Sequence, residues 1–558
     1  MSDDMGLELE GAASAGELSA AEAETFAEIP GQAPAPSRGL MSASVLMMVM
    51  TLLSAITGLA LVAALSWRFG DAEHLPDLNA YWQAFRIPNF VYFLVAGGAL
   101  RTGFVPVFSR YLAKGEHAKA WRTFSSTLWI LGLLATLVIG LGVAFAKPLT
   151  ILVAPGWTGA GQQHEYEMTT LLMRFMFPSE LFMLLGGLLM GMLNAQKHFL
   201  WPAMSPILFN VFIGLAVVFA PREYGIVAVA LSIPISSLLC NVVLQIPALR
   251  RRGARLLAIL DFHDEGFQQA LKLVLPVIFG LSVAEILTLV TSSMATIVDK
   301  TNGATAFAVA DRLWKFPTRF IGAGIAIAVF AYLADNFARE DEEAYRRDFS
   351  FGIRSTMFLT VPAALIMTVL RDPIIRLLGH GLTPECAART SDCLFWYGWG
   401  IVPLSLVYIL TRAFYARRDT ATAVWAGVSA VVVCLTIAMP LSRVLGLGGL
   451  ALATSIANWA NAGLLALLLK RKVGTLDGAR IGRSLLRQLI PAGAFGAVCW
   501  YGLQVSYRLL GDQGAVAKLA AIFGPMLAAT LVFVALAWLF RVEELHSAFA
   551  LLGRRFRK

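Results

Sequence analysis

The sequence predicts an all-α polytopic membrane protein of about fourteen transmembrane helices, arranged as two six-helix lobes with two extra C-terminal helices. Three observations predict this class. Hydrophobic residues fill 58% of the 558 positions, charged residues only 15%, and the mean hydropathy is +0.69. Past residue 40, apolar runs of about 20 residues, the length that crosses a bilayer core, follow one another with short breaks. The runs are continuous and lack the roughly ten-residue alternation of a membrane barrel. Lipid offers no partner to an unpaired backbone group, so such runs span as helices.

Residues 1–40 stand apart as a disordered acidic cytoplasmic tail. Asp3, Asp4, Glu8, Glu10, Glu17, Glu22, Glu24 and Glu28 face a single base, Arg38, among small residues and prolines. Such a composition cannot bury a core, and the segment lacks the basic n-region of a signal peptide.

The N-lobe, 41–250, holds spans at 43–67, 80–110, 123–146, 168–194, 201–220 and 224–246. The C-lobe, 251–472, holds 268–297, 304–334, 350–371, 393–415, 421–440 and 447–469. The segment 473–558 adds 485–507, 516–540 and a basic cytoplasmic C-terminus. The lobes rest on an internal repeat. Pro88 and Pro317, Pro178 and Pro403, and Ala195 and Ala416 are separated by 229, 225 and 221 residues. Near-constant offsets over six spans read as two parallel halves, an arrangement that places a substrate path between them.

Basic residues sit in alternate loops: Arg110, Lys114, Lys119 and Arg122; Lys197; Arg250, Arg251, Arg252 and Arg255; Arg417 and Arg418; then Lys470 to Arg487. The intervening loops carry Asp71, Glu73, Asp77, Glu165 and Glu167. By the positive-inside rule both termini are cytoplasmic, which requires an even number of spans. The same distribution explains the net charge of +9 without nucleic acid.

Nothing reads as a catalytic, cofactor or metal site. There is no phosphate-binding loop and no ligand cluster. His164, His198, His263 and His380 fall in or beside loops. Of five cysteines, Cys240, Cys434 and Cys499 read as packing residues, and Cys386 and Cys393 as two free thiols near an outer loop, where a disulfide is the alternative. Without a nucleotide site, transport has to draw on an ion gradient, the membrane potential or consumption of the product.

The informative residues are charges at membrane depth, which are costly unless they face a bundle interior or a wet cavity. Arg312 and Lys315 share one helical face, Arg319 continues it, and Asp311 is a candidate partner. Two or three cations on one stripe suit a pyrophosphate, because arginine offers a fork of donors to phosphate oxygens. Arg86 and Arg101 share a face of span 2, about 22 Å apart along the axis. Each is a cavity or an interface residue. Glu285 is an isolated carboxylate in span 7, able to bind a coupling proton or monovalent cation, to pair with a cavity arginine, or to bond between helices. Arg354 and Arg174, close to span ends, read as side chains reaching for the interface. Prolines 88, 178, 202, 206, 276, 317, 362 and 403 kink or start spans.

With these residues in view, the chain resembles the MurJ/MviN family of the multidrug/oligosaccharidyl-lipid/polysaccharide (MOP) exporter superfamily. The matching stretches are Ala84 to Asn89 (AFRIPN), Gly103 to Phe108 (GFVPVF), Ala154 to Trp157 (APGW), Phe177-Pro178, Leu193-Asn194-Ala195, and Pro202-Ala203 with Pro206 and Asn210. The second half adds Ala310 to Leu313 (ADRL), Phe316-Pro317 and Phe414 to Thr420 (FYARRDT). Together they cover roughly residues 43–470.

The resemblance implies a fourteen-helix flippase with a V-shaped cavity between two lobes. Its substrate is lipid II, the undecaprenyl-pyrophosphate-linked precursor of peptidoglycan, in the bacterial inner membrane. It implies that a cationic cavity holds the head, with Arg312 a cavity arginine, and that a groove toward spans 13 and 14 takes the lipid tail. The family's Ser-Arg pair of span 1 reads Ser54-Ala55 here, and a further family arginine reads Leu61. The family's acid at the start of span 2 reads Asn79, which enters the expected substrate site with Arg312, Lys315, Arg86 and Arg101. The family's later arginine and glutamate of span 2 read Tyr92 and Gly97. The expectation is therefore a non-enzymatic flippase for lipid II or a similar polyprenyl-pyrophosphate-linked glycan. The alternatives are a flippase for another lipid-linked oligosaccharide, a non-transporting scaffold that recruits cell-wall synthesis proteins, and an antiporter working through Glu285.

Overall fold

The computed structural model describes residues 38–95, 104–159, 161–196, 198–221, 224–251, 253–254, 256–511 and 514–546. By internal packing the chain divides at Val49 and Met50. Residues 1–37 of the acidic tail, Arg101 and Gly97 lie outside the described residues, while 38–40 already belong to the first helix.

The described residues form helices and connecting turns. The first half comprises α1 (Arg38–Phe69), α2 (Leu75–Ala84), α3 (Arg86–Val95), α4 (Val105–Ala113), α5 (His117–Ala144), α6 (Ala146–Val153), α7 (Gln163–Met176), α8 (Pro178–Ala195), α9 (Leu200–Phe219), α10 (Gly225–Ser237) and α11 (Ile246–Arg250). The second half comprises α12 (Glu265–Val298), α13 (Gly303–Pro317), α14 (Ala323–Ala338), α15 (Glu342–Val369), α16 (Arg371–Leu378), α17 (Pro384–Ala416), α18 (Thr420–Leu445) and α19 (Leu447–Val473). The last pair is α20 (Gly478–Leu510) and α21 (Ala515–Leu539).

Twelve helices among the described residues are long and apolar enough to cross a membrane. They match twelve of the fourteen expected spans. The other two fall on α2–α4, interrupted by undescribed residues, and on α12, part of whose side chains lies outside the description. Span 2 begins earlier than its apolar run, at Leu75, and breaks between α2 and α3 at Phe85.

Helix starts follow from local chemistry. Asp264, Asp341, Thr383 and Asp419 each accept a hydrogen bond from the backbone N–H three residues on, satisfying a donor that the first turn leaves open. Proline marks the discontinuities. Pro178 opens α8 directly after α7, and Pro317 closes α13 before a π-helical turn, Thr318–Gly322. The repeat is visible in a detail that hydropathy hides. A short helix, α6, precedes α7–α8, and its counterpart α16 precedes α17.

In the second half, α17 packs on α15 and α19, and α18 on α19. The helices α20 and α21 pack on each other, and α20 also on α15. The halves meet where α12 packs on α3 and α13 on α2. One end of this seam is tight. A Cβ on Gly156 would stand 1.9 Å from the Thr296 carbonyl oxygen, and the Trp157 indole N–H donates to the Lys300 carbonyl at 3.0 Å. Gly381, at φ +129°, lies so close to α1 that a Cβ would stand 2.4 Å from the Ser66 carbonyl oxygen, and the Thr383 N–H donates to the Gly70 carbonyl at 2.9 Å.

These contacts latch the two halves at the end that carries Trp157. Gly156→Ala is expected to part them there, because the atoms in its way are backbone. Spin labels at exposed Thr158 and Lys300 should report a longer mean distance in the variant. An unchanged distance distribution would show that the seam absorbs the methyl elsewhere.

All five cysteines are buried and free, and Cys386 and Cys393 lie inside α17 rather than in a loop. Arg354 departs from its expected interface role. It is 3% exposed, and its guanidinium donates to Glu544 at 2.6 Å and Glu543 at 2.9 Å, just past α21. Ser484 on α20 donates to the same Glu544 oxygen at 3.0 Å. This buried cluster ties α20 and α21 to α15.

Candidate functional site

A cavity of about 440 Å³ lies on the seam between the halves. Its first-half wall comprises Ser54, Ala55 and Gly58 of α1, Trp82 of α2, Arg86 and Asn89 of α3, and Asn210 of α9. Its second-half wall comprises Glu285 and Thr288 of α12, Asp311, Arg312 and Lys315 of α13, and Arg319 of the π-helical turn.

The second-half wall follows from helical spacing. Arg312, Lys315 and Arg319 recur at intervals of three and four and form one stripe. The face behind them is anchored: Trp314 stacks on Tyr397 with ring centroids 4.8 Å apart, and its N–H donates to Asp311 at 3.1 Å. Pro317 stops the regular ladder, and Thr318 donates its hydroxyl to the Lys315 carbonyl at 2.9 Å. The following turn brings Arg319 to the cavity.

The charges differ in how far they are already satisfied. Lys315 pairs with Asp311 at 2.8 Å, so much of its charge is compensated within its own helix. Arg312 has no carboxylate partner among the described residues; its guanidinium carbon lies 4.7 Å from the centre of the Trp82 ring. A ring face attracts a cation but leaves the in-plane donors unspent. Arg86 Nε is buried without a hydrogen-bond partner. Four cations therefore face two carboxylates, Glu285 and Asp311, and the wall is net positive. A site of this kind can hold an anion with two or more oxygens.

Apart from Arg86 the first-half wall is uncharged, with Thr51, Ser54, Asn89 and Asn210 set among apolar residues such as Leu59, Val62 and Phe85. The Asn210 amide donates to the Ser54 carbonyl at 3.2 Å and the Thr57 hydroxyl at 3.3 Å, closing α9 on α1. Ala55 lines the cavity, whereas Leu61 is buried in the core.

The structure places Asn79 away from this cavity. It is 1% exposed and is not part of the cavity wall. Its carbonyl oxygen accepts from the Thr305 N–H at 2.9 Å and the Thr305 hydroxyl at 2.7 Å, and its amide donates to the Thr301 carbonyl at 2.5 Å. Asn79 thus caps α13 from the other half, while Asn302, at the N-cap position itself, makes no side-chain cap. Asn79→Ala should cost about 1–2 kcal/mol, the usual worth of such a cap. Asn79→Asp should retain part of it, because a carboxylate accepts the same bonds from Thr305 at a helix N-terminus but cannot donate to the Thr301 carbonyl. Thermal unfolding of the two variants checks this; equal losses would contradict the capping role. Sequence reasoning missed Trp82, Thr288 and Asn210 as wall residues, since an aromatic or a small polar residue in an apolar run carries no signal of its own.

With the geometry in place, similarity to solved structures defines the class. The chain is similar to a structure titled lipid II flippase MurJ, inward closed conformation, with a TM-score of 0.72, 21% identity and coverage of 89% of this chain and 98% of that one. It is also similar to an inward-facing MATE family multidrug resistance transporter of the MOP superfamily, with a TM-score of 0.66, 14% identity and coverage of 76% and 95%. The chain shares the two-lobed helical fold of these structures, and the cationic cavity lies on the seam between the lobes.

The family described as lipid II flippase MurJ matches residues 69–537. A relative from Haemophilus influenzae, named probable lipid II flippase MurJ, is 30% identical over 81% of this chain and 90% of its own length. The chain belongs to the MurJ lipid II flippase family, and it is a transporter rather than an enzyme.

Proposed function

We propose that this protein flips lipid II, carrying its polyprenyl-pyrophosphate-linked glycan head from the cytoplasmic to the outer leaflet for peptidoglycan synthesis. The observation that carries this reading is the seam cavity, in which Arg312 and Arg86 form no ion pair with a carboxylate among the described residues. A pyrophosphate presents several oxygens, and each guanidinium can meet two of them. Lys315, already bonded to Asp311, serves as a secondary contact, and Arg319 extends the stripe. Arg101, on the segment after α3, remains a proposed first-lobe contact.

Alternating access follows from the seam. By the charge pattern of the loops the latched end faces outward and both termini lie in the cytoplasm of a bacterium bounded by this inner membrane. Release of the Trp157 and Gly381 contacts opens the cavity outward once the head is bound, while the lipid tail stays in the bilayer beside α20 and α21. Glu285 stands among the cavity cations. A proton or monovalent cation taken up there frees those cations for the pyrophosphate. Cell-wall synthesis proteins are the natural consumers of the product.

A second reading, a different lipid-linked oligosaccharide, is favoured by one observation: Ala55 occupies the wall where the family places an arginine. Complementation of a strain depleted of its lipid II flippase separates the two. Rescue by the wild type, at verified membrane expression, supports lipid II. Failure to rescue at equal expression favours the other glycan.

A further inference from the structure

Deep in the first lobe lies a carboxylate that the cavity does not use. Glu180 is 3% exposed and sits near the middle of the membrane-length segment Gln163–Ala195. The Ser179 hydroxyl donates to the Met176 carbonyl at 2.6 Å and lies 3.2 Å from one Glu180 oxygen; the other, Oε2, is buried with no hydrogen-bond partner among the described residues. An ionisable group at bilayer depth without a counter-charge is costly and is retained when it has work to do.

The surroundings of Glu180 are polar and linked. Ser237 donates to the Ser179 carbonyl at 3.1 Å, Asn241 donates to Ser237 at 3.1 Å, and Ser205 donates to Asn241 at 2.6 Å. This seam joins α8, α9 and the segment after α10. One turn further on, Gln245 is fully buried with both amide atoms unpartnered. The seam also runs through two irregular points of the backbone. Glu180 is two residues past the opening proline of α8, and Asn241 lies in a π-helical turn, Leu238–Val242. Such turns concentrate where a helix must change shape.

No charged side chain answers Glu180 among the described residues. The elements packed against α8 carry Arg86 and Tyr92 on α3, Arg110 and Tyr111 on α4, His117, Lys119 and Arg122 on α5, His164, Glu165, Tyr166, Glu167 and Arg174 on α7, Cys240 in the π turn and Arg250 on α11, and none forms an ion pair with it. The helix that carries Arg86 into the cavity, α3, packs directly on α8.

We propose that Glu180 is a proton-binding site of the first lobe, coupled to the seam cavity through the α7–α8 kink. Uptake of one proton converts the carboxylate to a carboxylic acid and needs no other reactant. The acid can donate a hydrogen bond where the carboxylate can only accept one. The change re-forms the bonding of Ser179 and Ser237 across the kink and moves α8 against α3. This places proton coupling in the first lobe, apart from Glu285, and it rests on the flippase reading for its use.

The test joins two readouts on the full-length chain in lipid. The first is the infrared C=O band of a protonated carboxyl, followed against pH in nanodiscs. The band is expected in the wild type and in Glu285→Gln, absent in Glu180→Gln, and moved in frequency in Glu180→Asp. A band that persists unchanged in Glu180→Gln overturns the site. Should the glutamine variant fail to fold, an unmoved band in Glu180→Asp overturns it equally. The second is lipid II flipping in proteoliposomes with and without an imposed pH gradient. The wild type and Glu180→Asp should differ between the two conditions, and Glu180→Gln should give equal rates. A gradient response retained in Glu180→Gln overturns the coupling. If the wild type moves no lipid II at all, the flippase reading fails, while the infrared band still decides the proton site.

Discussion

Arg312→Ala is expected to weaken lipid II binding by about 10- to 100-fold, because hydrogen bonds to charged groups are worth about 1.5–3 kcal/mol net. No other cavity cation among the described residues combines a half-buried setting, an aromatic support and freedom from carboxylates in the same way. Trp82 holds the guanidinium from its face, and the donors in its plane remain for phosphate. Arg312→Lys should recover only part of the loss, since an ammonium cannot bind two oxygens in parallel. The thermal stabilisation given by added lipid II is the direct readout. Wild-type stabilisation in Arg312→Ala would remove this residue from the head-group site. Lys315→Ala should have a smaller effect, because Asp311 already compensates that charge.

Arg354→Ala is expected to destabilise the fold by about 3–5 kcal/mol, the cost of leaving a buried charge without its partner. The Glu544 carboxylate would stay 5% exposed with Ser484 as its remaining donor. Replacing Arg354 and Glu544 together by apolar residues of similar volume should be much milder. Denaturation of the single and double variants in detergent tests this. Equal losses in the two would show that packing rather than charge is lost. The neighbouring Glu543 adds a pH dependence. Its partial burial raises its pKa, but the Arg480 and Arg354 guanidiniums prevail and hold it below the usual carboxylate value. A lowered folded pKa gives stability that is present above the unfolded value, about 4.3, and is lost as the pH falls through the folded one. Glu543→Gln should remove that increment at neutral pH and differ little from the wild type at the acidic end, so that the pH dependence flattens.

Much of the architecture was legible because lipid simplifies the code. Continuous apolar runs could only be helices, and the stripe Arg312–Lys315–Arg319 followed from helical spacing alone. What escaped were bonds between residues far apart in sequence. Asn79 read as a substrate contact because the family resemblance places an acidic residue at that position. Its partner is a helix N-terminus 226 residues away. Arg354 read as an interface side chain because its carboxylates lie 189 and 190 residues further on. Glu180 drew no notice, since one acid near a proline carries no local pattern. The break of span 2 at Phe85 was hidden because hydropathy averages over a bend.

The central claim is that the seam cavity carries a pyrophosphate-linked head across the membrane. The most direct measurement follows fluorescent lipid II in proteoliposomes, scoring the fraction accessible to an impermeant quencher over time for the wild type and Arg312→Ala at equal reconstitution. Flipping by the wild type with a strong loss in Arg312→Ala is the expected result. Equal rates in the two, or no rate above protein-free vesicles in either, would contradict it.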